Sequence, residues 1–217
     1  MNNKNHPNIT ALSGYAGSGK DTVAKIIQYL TGKLPYKIPI TEFITGNNWL
    51  VNSNNANFKI KKFADKPTQA FEIITGINFH KLNREEKENI RSKYIEFAEK
   101  CKDIFGEDIW VNSLMNDYKS AGEKCGFTSY STRDIKEGFQ KKPNWIISDL
   151  RFTNELKAIK DRGGICIRIN RPGLIKNNHP SETRLDSAIF DYTIDNNSDI
   201  NSLIEKVREI LIKINVI

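Results

Sequence analysis

The chain has 217 residues, 38% hydrophobic and 27% charged, with a mean hydropathy of -0.53, a profile that suits one soluble α/β domain with an appended substrate region. No run of about 18 apolar residues occurs, so no membrane span is expected, and the opening MNNKNHPN lacks the apolar segment of a secretory signal. The net charge of +7 comes from cations scattered among carboxylates, without a basic block or nucleic-acid-binding motif, which suits a protein that handles phosphates better than one that binds nucleic acid directly.

The first predicted strand, Ile9 to Leu12, runs into GYAGSGKDT, Gly14 to Thr22, which reads as a phosphate-binding loop. Gly14 and Gly19 stand at the ends of G-x-x-x-x-G-K, where a side chain would obstruct the tight turn and keep backbone N–H groups from the phosphates. Ala16, Gly17 and Ser18 lie between them, and Lys20 supplies a mobile cation. From about Asp21 a helix carries Val23, Ile26, Ile27 and Leu30 on one stripe, with Gly32 placed to end it. Its free N–H groups and dipole favour a bound polyphosphate. A chance glycine-rich turn would not be expected between a strand and a helix in this order. The loop departs from the usual G-K-[ST], because Asp21 takes the hydroxyl position and Thr22 follows it. Thr22 or Ser18 would then offer magnesium a hydroxyl, directly or through water.

Residues 33–57, with Pro35, Pro39, Gly46 and many asparagines, suggest an irregular excursion, a hairpin or an insertion. Phe58 to Phe63 alternates apolar and polar as a second strand, with Asp65 just past its end. A helix is predicted from Pro67 to Thr75, closed by Gly76. Ile90, Tyr94, Phe97, Cys101 and Ile104 mark one face of a long amphipathic helix between Asn83 and Phe105, and Trp110, Leu114 and Tyr118 continue as another. The polar stretch from Ala121 to Lys142 has no readable structure. Beyond it, Trp145 to Asp149 is a strand, Asn154 to Arg162 a helix, Ile165 to Ile169 a strand, and Arg171 to Asp186 a polar loop. Phe190 to Ile194 is a last strand before a closing helix capped by Ser198 or Asp199. Strands alternating with helices imply a parallel sheet covered on both faces. Cys101, Cys125 and Cys166 show no C-x-x-C spacing, so neither a disulfide framework nor a zinc site is expected, and the compartment reads as reducing.

In such a sheet the ligand lies outside the carboxyl ends of the strands, which singles out Gly14 to Thr22, Asp65, Asp149 with Arg151, and Arg171. Asp149 ends an apolar strand in the manner of a Walker B acid delivered to a magnesium shell; the plainer reading is an acid capping the next turn. Arg151 would offer a phosphate a planar two-pronged donor, against the alternative of a surface salt bridge. The loop from Arg171 to Asp186, with Lys176, His179, Glu182 and Arg184, is a candidate lid that excludes water. His179 in that loop is more ordinary as a solvated side chain than as a base.

These residues carry a resemblance. GYAGSGKDTVAK, FAD at Phe63 to Asp65, FGEDIWVNSLM at Phe105 to Met115, WIISDLRFTNE at Trp145 to Glu155, GGICIRINRP at Gly163 to Pro172, HPSETRLD at His179 to Asp186 and FDYTIDNN at Phe190 to Asn197 together resemble the phage-type deoxynucleoside monophosphate kinases, a branch of the P-loop nucleotide kinases. The GKDT ending is also similar to the GKGT of adenylate kinases. The resemblance runs from Asn8 to Gly32 and from Phe105 to the C-terminus, with a looser middle. It implies a single kinase domain with its core at about 8–32, 58–66 and 143–217, a helical substrate-binding region at about 67–142 and a lid at about 171–187. It further implies ATP and magnesium as cofactors, with Arg151 gripping the acceptor phosphate, Arg171 contacting the donor nucleotide, Arg91 in the monophosphate-binding region and Lys102 where a second arginine is often found.

The resulting expectation is transfer of the γ-phosphoryl group of ATP to a deoxynucleoside 5′-monophosphate. Lys20, Asp149 and Arg151 are the catalytic candidates, Gly14, Ala16, Gly17, Ser18, Gly19, Lys20, Asp21 and Thr22 with Arg171 the donor-binding set, and Asp65, Arg91 and Arg151 the acceptor-binding set. Asp149 and Thr22 are the metal candidates. A kinase of another small phosphorylated metabolite, such as dephospho-coenzyme A or phosphomevalonate, and a non-kinase P-loop protein are the rivals. A cytoplasmic protein is expected, in the host cytoplasm if phage-encoded, acting on small nucleotides; a homodimer stays open.

Overall fold

The computed structural model describes residues 7–32, 38–46, 57–79, 81–118, 143–174 and 183–217. Its centre is β1 (Ile9–Ser13), buried at every position, as a strand covered on both faces must be. β3 (Trp145–Leu150) and β4 (Ile165–Asn170) flank it, and β2 (Lys59–Lys61) and β5 (Tyr192–Asp195) form the edges, giving the order β2-β3-β1-β4-β5. Every pairing is parallel. The result is the expected α/β fold, consistent with the architecture of P-loop nucleoside monophosphate kinases.

Side chains leave a strand alternately to its two faces, and each face here has its own core. Leu12, Ile146, Ile167 and Ile194 meet α1 (Lys20–Thr31) and α7 (Ile200–Lys213) through Val23, Ile27, Leu203 and Val207. On the opposite face Ala11, Trp145, Ile147 and Cys166 meet α5 (Ile109–Asn116) and α6 (Thr153–Lys160) through Val111, Leu114 and Ile159. Of the two cap candidates for α7, Asp199 is the one used: its side chain accepts from the Ser202 N–H.

Part of the excursion after α1 is regular. Ile40–Thr45 forms a one-and-a-half-turn helix, α2, whose Phe43 is buried against Tyr29, with ring centroids 5.4 Å apart. Lys25 fixes its end by donating to the Ile44 carbonyl at 2.6 Å. The second strand is shorter than the alternation predicted, and α3 (Asp65–Thr75) begins two residues sooner than Pro67 suggested.

α4 (Arg84–Phe105) has no fully buried residue. It is held instead by rings: the buried Phe71 of α3 packs edge-on to the half-buried Tyr94 and Phe97, and Phe97 meets Trp110 of α5. The Trp110 indole N–H donates to the Ala98 carbonyl at 3.1 Å. Ile104, expected on the buried stripe, is 71% exposed. No described helix is long and apolar enough to cross a membrane. The stretch from Ala121 to Lys142, Cys125, and Lys176, His179 and Glu182 of the predicted lid lie outside the described residues.

Candidate functional site

The strand register brings the predicted site residues to one rim. Ser13, which leads into the glycine loop, pairs with Leu150 on one side and Arg168 on the other. The loop, the Asp149 to Arg151 turn and Arg171 therefore leave adjacent strands at the same level.

Two glycines in the loop are sterically required. A Cβ on Gly14 would lie 2.4 Å from the Ile169 carbonyl oxygen; at Gly19 φ is +103°, and a Cβ would lie 2.7 Å from Asn196 Nδ2. Asn196 donates that amide to the Ser18 carbonyl at 2.9 Å, holding the loop from the end of β5. Lys20 bends back over the loop, with Nζ 2.6 Å from the Gly14 oxygen and 2.8 Å from the Tyr15 oxygen. Arg171 reaches the Gly17 carbonyl at 3.3 Å. Asp21, on the first turn of α1, pairs with Lys62 at 3.3 Å, and Thr22 follows it on the same turn.

Beside the loop lies a cavity of about 680 Å³, within the range of small-ligand sites. The turn after β2 supplies Lys62, Phe63 and Ala64. α4 and α5 supply Tyr94, Lys102 and Trp110, and the β3–α6 connection supplies Asp149, Arg151, Phe152 and Glu155. Arg184 completes the wall. Rings of Phe63, Tyr94, Trp110 and Phe152 give it flat apolar surfaces, and Lys62, Lys102, Arg151 and Arg184 give it cations. Lys102 and Arg184 both sit over the Phe152 ring, 5.3 and 5.2 Å from its centroid.

Asp149 stands between the two regions. One carboxylate oxygen accepts from the Phe63 N–H at 2.8 Å and the other from the Ala64 N–H at 3.0 Å. It thus ties down the turn that starts α3, far back in the chain, and not the turn that follows β3, whose N–H groups go to Glu155. Burial pushes its pKa up, against those N–H groups and Arg151, which pull it down. Each oxygen keeps a further lone pair, and magnesium typically takes only one or two carboxylates, completing its shell with phosphate and water. The Asp149 carboxylate is compatible with that ion, and Thr22, on the first turn of α1, is the hydroxyl candidate. Among the described residues no cluster of three or more His, Cys, Asp or Glu could hold a metal alone.

Two predicted acceptor contacts are not among the cavity's lining residues. The Asp65 carboxylate accepts from the Lys62 N–H at 2.9 Å, closing the same turn from within. Arg91 lies one helical turn short of Tyr94, is exposed, and pairs with Glu88 at 3.4 Å. Lys102 does line the cavity.

Glu155 was not singled out by sequence. It is buried, its Oε2 accepting from the Arg151 N–H at 2.7 Å and the Phe152 N–H at 3.0 Å. Burial first, and then the Asp149 charge, push its pKa up to about 8. Phe152-Thr153-Asn154-Glu155 is half of a capping box, with Glu at N3 reaching back to the cap N–H, so the spacing did hold this signal. Asn196 follows a strand at the same rim and was open to the reasoning that selected Asp149 and Arg171.

No protein-family model matches the chain. It is similar to a protein of Acanthamoeba polyphaga mimivirus named "Putative deoxynucleotide monophosphate kinase", with 26% identity over 206 residues that span 92% of this chain and 93% of that one. With the compatible fold, this distant likeness supports a general link to the P-loop nucleotide kinases and, with it, to phosphoryl transfer.

Proposed function

We propose that the chain transfers the γ-phosphoryl group of ATP to a deoxynucleoside 5′-monophosphate, as one kinase domain with α3 to α5 on the acceptor side. The observation that carries this reading is the adjacency of the glycine loop to a cavity lined by aromatic rings and four cations, with Lys62 facing both through its pair with Asp21. The mimivirus protein's name favours a deoxynucleotide acceptor.

The loop N–H groups and the α1 N-terminus hold the donor polyphosphate. Lys20 exchanges its two carbonyl partners for phosphate oxygens, and Arg171 leaves Gly17 for the same purpose. Arg151 meets the acceptor phosphate with its planar fork, while Phe63, Tyr94, Trp110 and Phe152 enclose the base. The acceptor is already an anion, so positioning and charge neutralisation matter more than a general base. Asp149 and Thr22 would hold magnesium, which when bound would supply charge neutralisation on the donor phosphates.

The test is ATP consumption with each deoxy- and ribonucleoside monophosphate, run with and without magnesium. Turnover with at least one deoxynucleotide, lost on chelation, is the expected result. Failure with every nucleotide, but turnover of another phosphorylated metabolite, would move the assignment to a different acceptor class.

A further inference from the structure

The turn that carries Arg184 also touches the glycine loop. The Tyr15 hydroxyl donates to Asp186 Oδ2 at 2.6 Å, and Arg168 Nη2 donates to Asp186 Oδ1 at 2.8 Å. Both oxygens of the carboxylate are thus engaged. Arg168 is 11% exposed; it also donates to the Ser13 hydroxyl at 3.2 Å and lies 4.9 Å from the centroid of the Tyr15 ring. Ser13 and Tyr15 bracket Gly14, so the arginine and the aspartate brace the start of the phosphate loop from outside. Two residues before Asp186, Arg184 stands on the wall of the acceptor cavity, with buried Leu185 seating the turn between them.

A charge-assisted carboxylate with both oxygens bound is a stiff joint. Any displacement of Tyr15 by a polyphosphate in the loop would be passed through it to Asp186, and through Leu185 to Arg184. We propose that Tyr15, Asp186 and Arg168 are positioning residues that couple the two nucleotide subsites, so that filling the glycine loop seats Arg184 for the acceptor. This rests on the donor and acceptor assignments above. Linkage makes the effect reciprocal: if the donor tightens the acceptor, the acceptor tightens the donor by the same factor.

The test is calorimetric titration of each of the four deoxynucleoside 5′-monophosphates, in magnesium, with and without an ATP analogue bearing nitrogen between its β- and γ-phosphates. The ratio of the two acceptor dissociation constants is the readout. In the wild type it should be roughly fivefold or more, at the low end of typical couplings, and close to one in Tyr15→Phe and in Asp186→Asn. Tyr15→Phe removes one hydroxyl and keeps the ring against Arg168, so it guards against a folding defect in the aspartate variant. A merely structural role would change stability and leave the ratio alone. A ratio near one in the wild type, or an unchanged ratio in Tyr15→Phe, overturns the proposal. Binding of neither nucleotide to the wild type overturns the kinase reading, and this proposal with it.

Discussion

At the scale of single residues, Arg151 and Glu155 divide the work of the β3–α6 connection. Arg151 is exposed and faces the cavity, while Glu155 is buried and holds the Arg151 and Phe152 N–H groups. On the proposed reading Arg151 grips the acceptor phosphate, and losing such a contact costs turnover and not stability, so Arg151→Ala should lower kcat/KM by roughly tenfold or more while the melting temperature barely moves. Arg151→Lys should recover only part of the loss, a point charge replacing a planar fork. Glu155 should show the opposite division. Its folded pKa of about 8 lies above that of the unfolded chain, so the folded form keeps a proton the unfolded form has lost. Its contribution to stability is complete below the unfolded value of 4.5 and is lost as pH rises through 8, with a slope of at most about 1.4 kcal/mol per pH unit. Glu155→Gln keeps the acceptor oxygen and removes the titration. Urea titrations from pH 5 to pH 8 should show a flatter decline for the variant; some slope should persist because burial pushes Asp149 up as well. An equal decline in both proteins would show that Glu155 is not the group responsible.

At the scale of elements, legibility in the sequence tracks how much of an element's stability is its own. β1, β3 and β4 were readable because each is mostly apolar and buried over most of its length on both faces, and α1 and α7 because each presents an apolar stripe to one core. α2 escaped detection: six residues among prolines and asparagines are too few to establish a period, and its place depends on Tyr29 and Lys25 of another element. The length of α4 was legible but its buried face only in part, since rings from α3 and α5 decide which residues are covered. Its start is written locally. Asn83 accepts from the Glu86 N–H at 2.9 Å while the Glu86 side chain accepts from the Asn83 N–H at 2.8 Å, a reciprocal cap. Because no residue of α4 is fully buried, that cap is a large share of what orders its first turns. Asn83→Ala should cost about 1 kcal/mol in urea denaturation and increase amide exchange over the first turns of the helix, leaving exchange in β1 and β3 as in the wild type.

At the scale of the whole molecule, the two proposed subsites make separate contributions to stability, and that allows each to be tested without turnover. A ligand that binds only the folded chain stabilises it by about 2.7 kcal/mol at a concentration 100 times its Kd. For a chain of this size that is roughly 5 to 10 °C in melting temperature. ATP with magnesium should produce such a shift in the wild type and little of it in Lys20→Ala, measured against the variant's own baseline, since Lys20 also ties down the Gly14 and Tyr15 carbonyls. On the proposed reading a deoxynucleoside monophosphate given alone enters the cavity beyond Asp149, which Lys20 does not line. It should therefore stabilise Lys20→Ala much as it does the wild type, and stabilise Arg151→Ala less. Sharing of one pocket by donor and acceptor would instead make Lys20→Ala insensitive to both ligands. The loop proposed to take the triphosphate is legible in the sequence because a short contiguous motif builds it. The second pocket draws on four separate stretches of chain, from Lys62, Tyr94, Phe152 and Arg184 outward, and only the fold brings them into one wall.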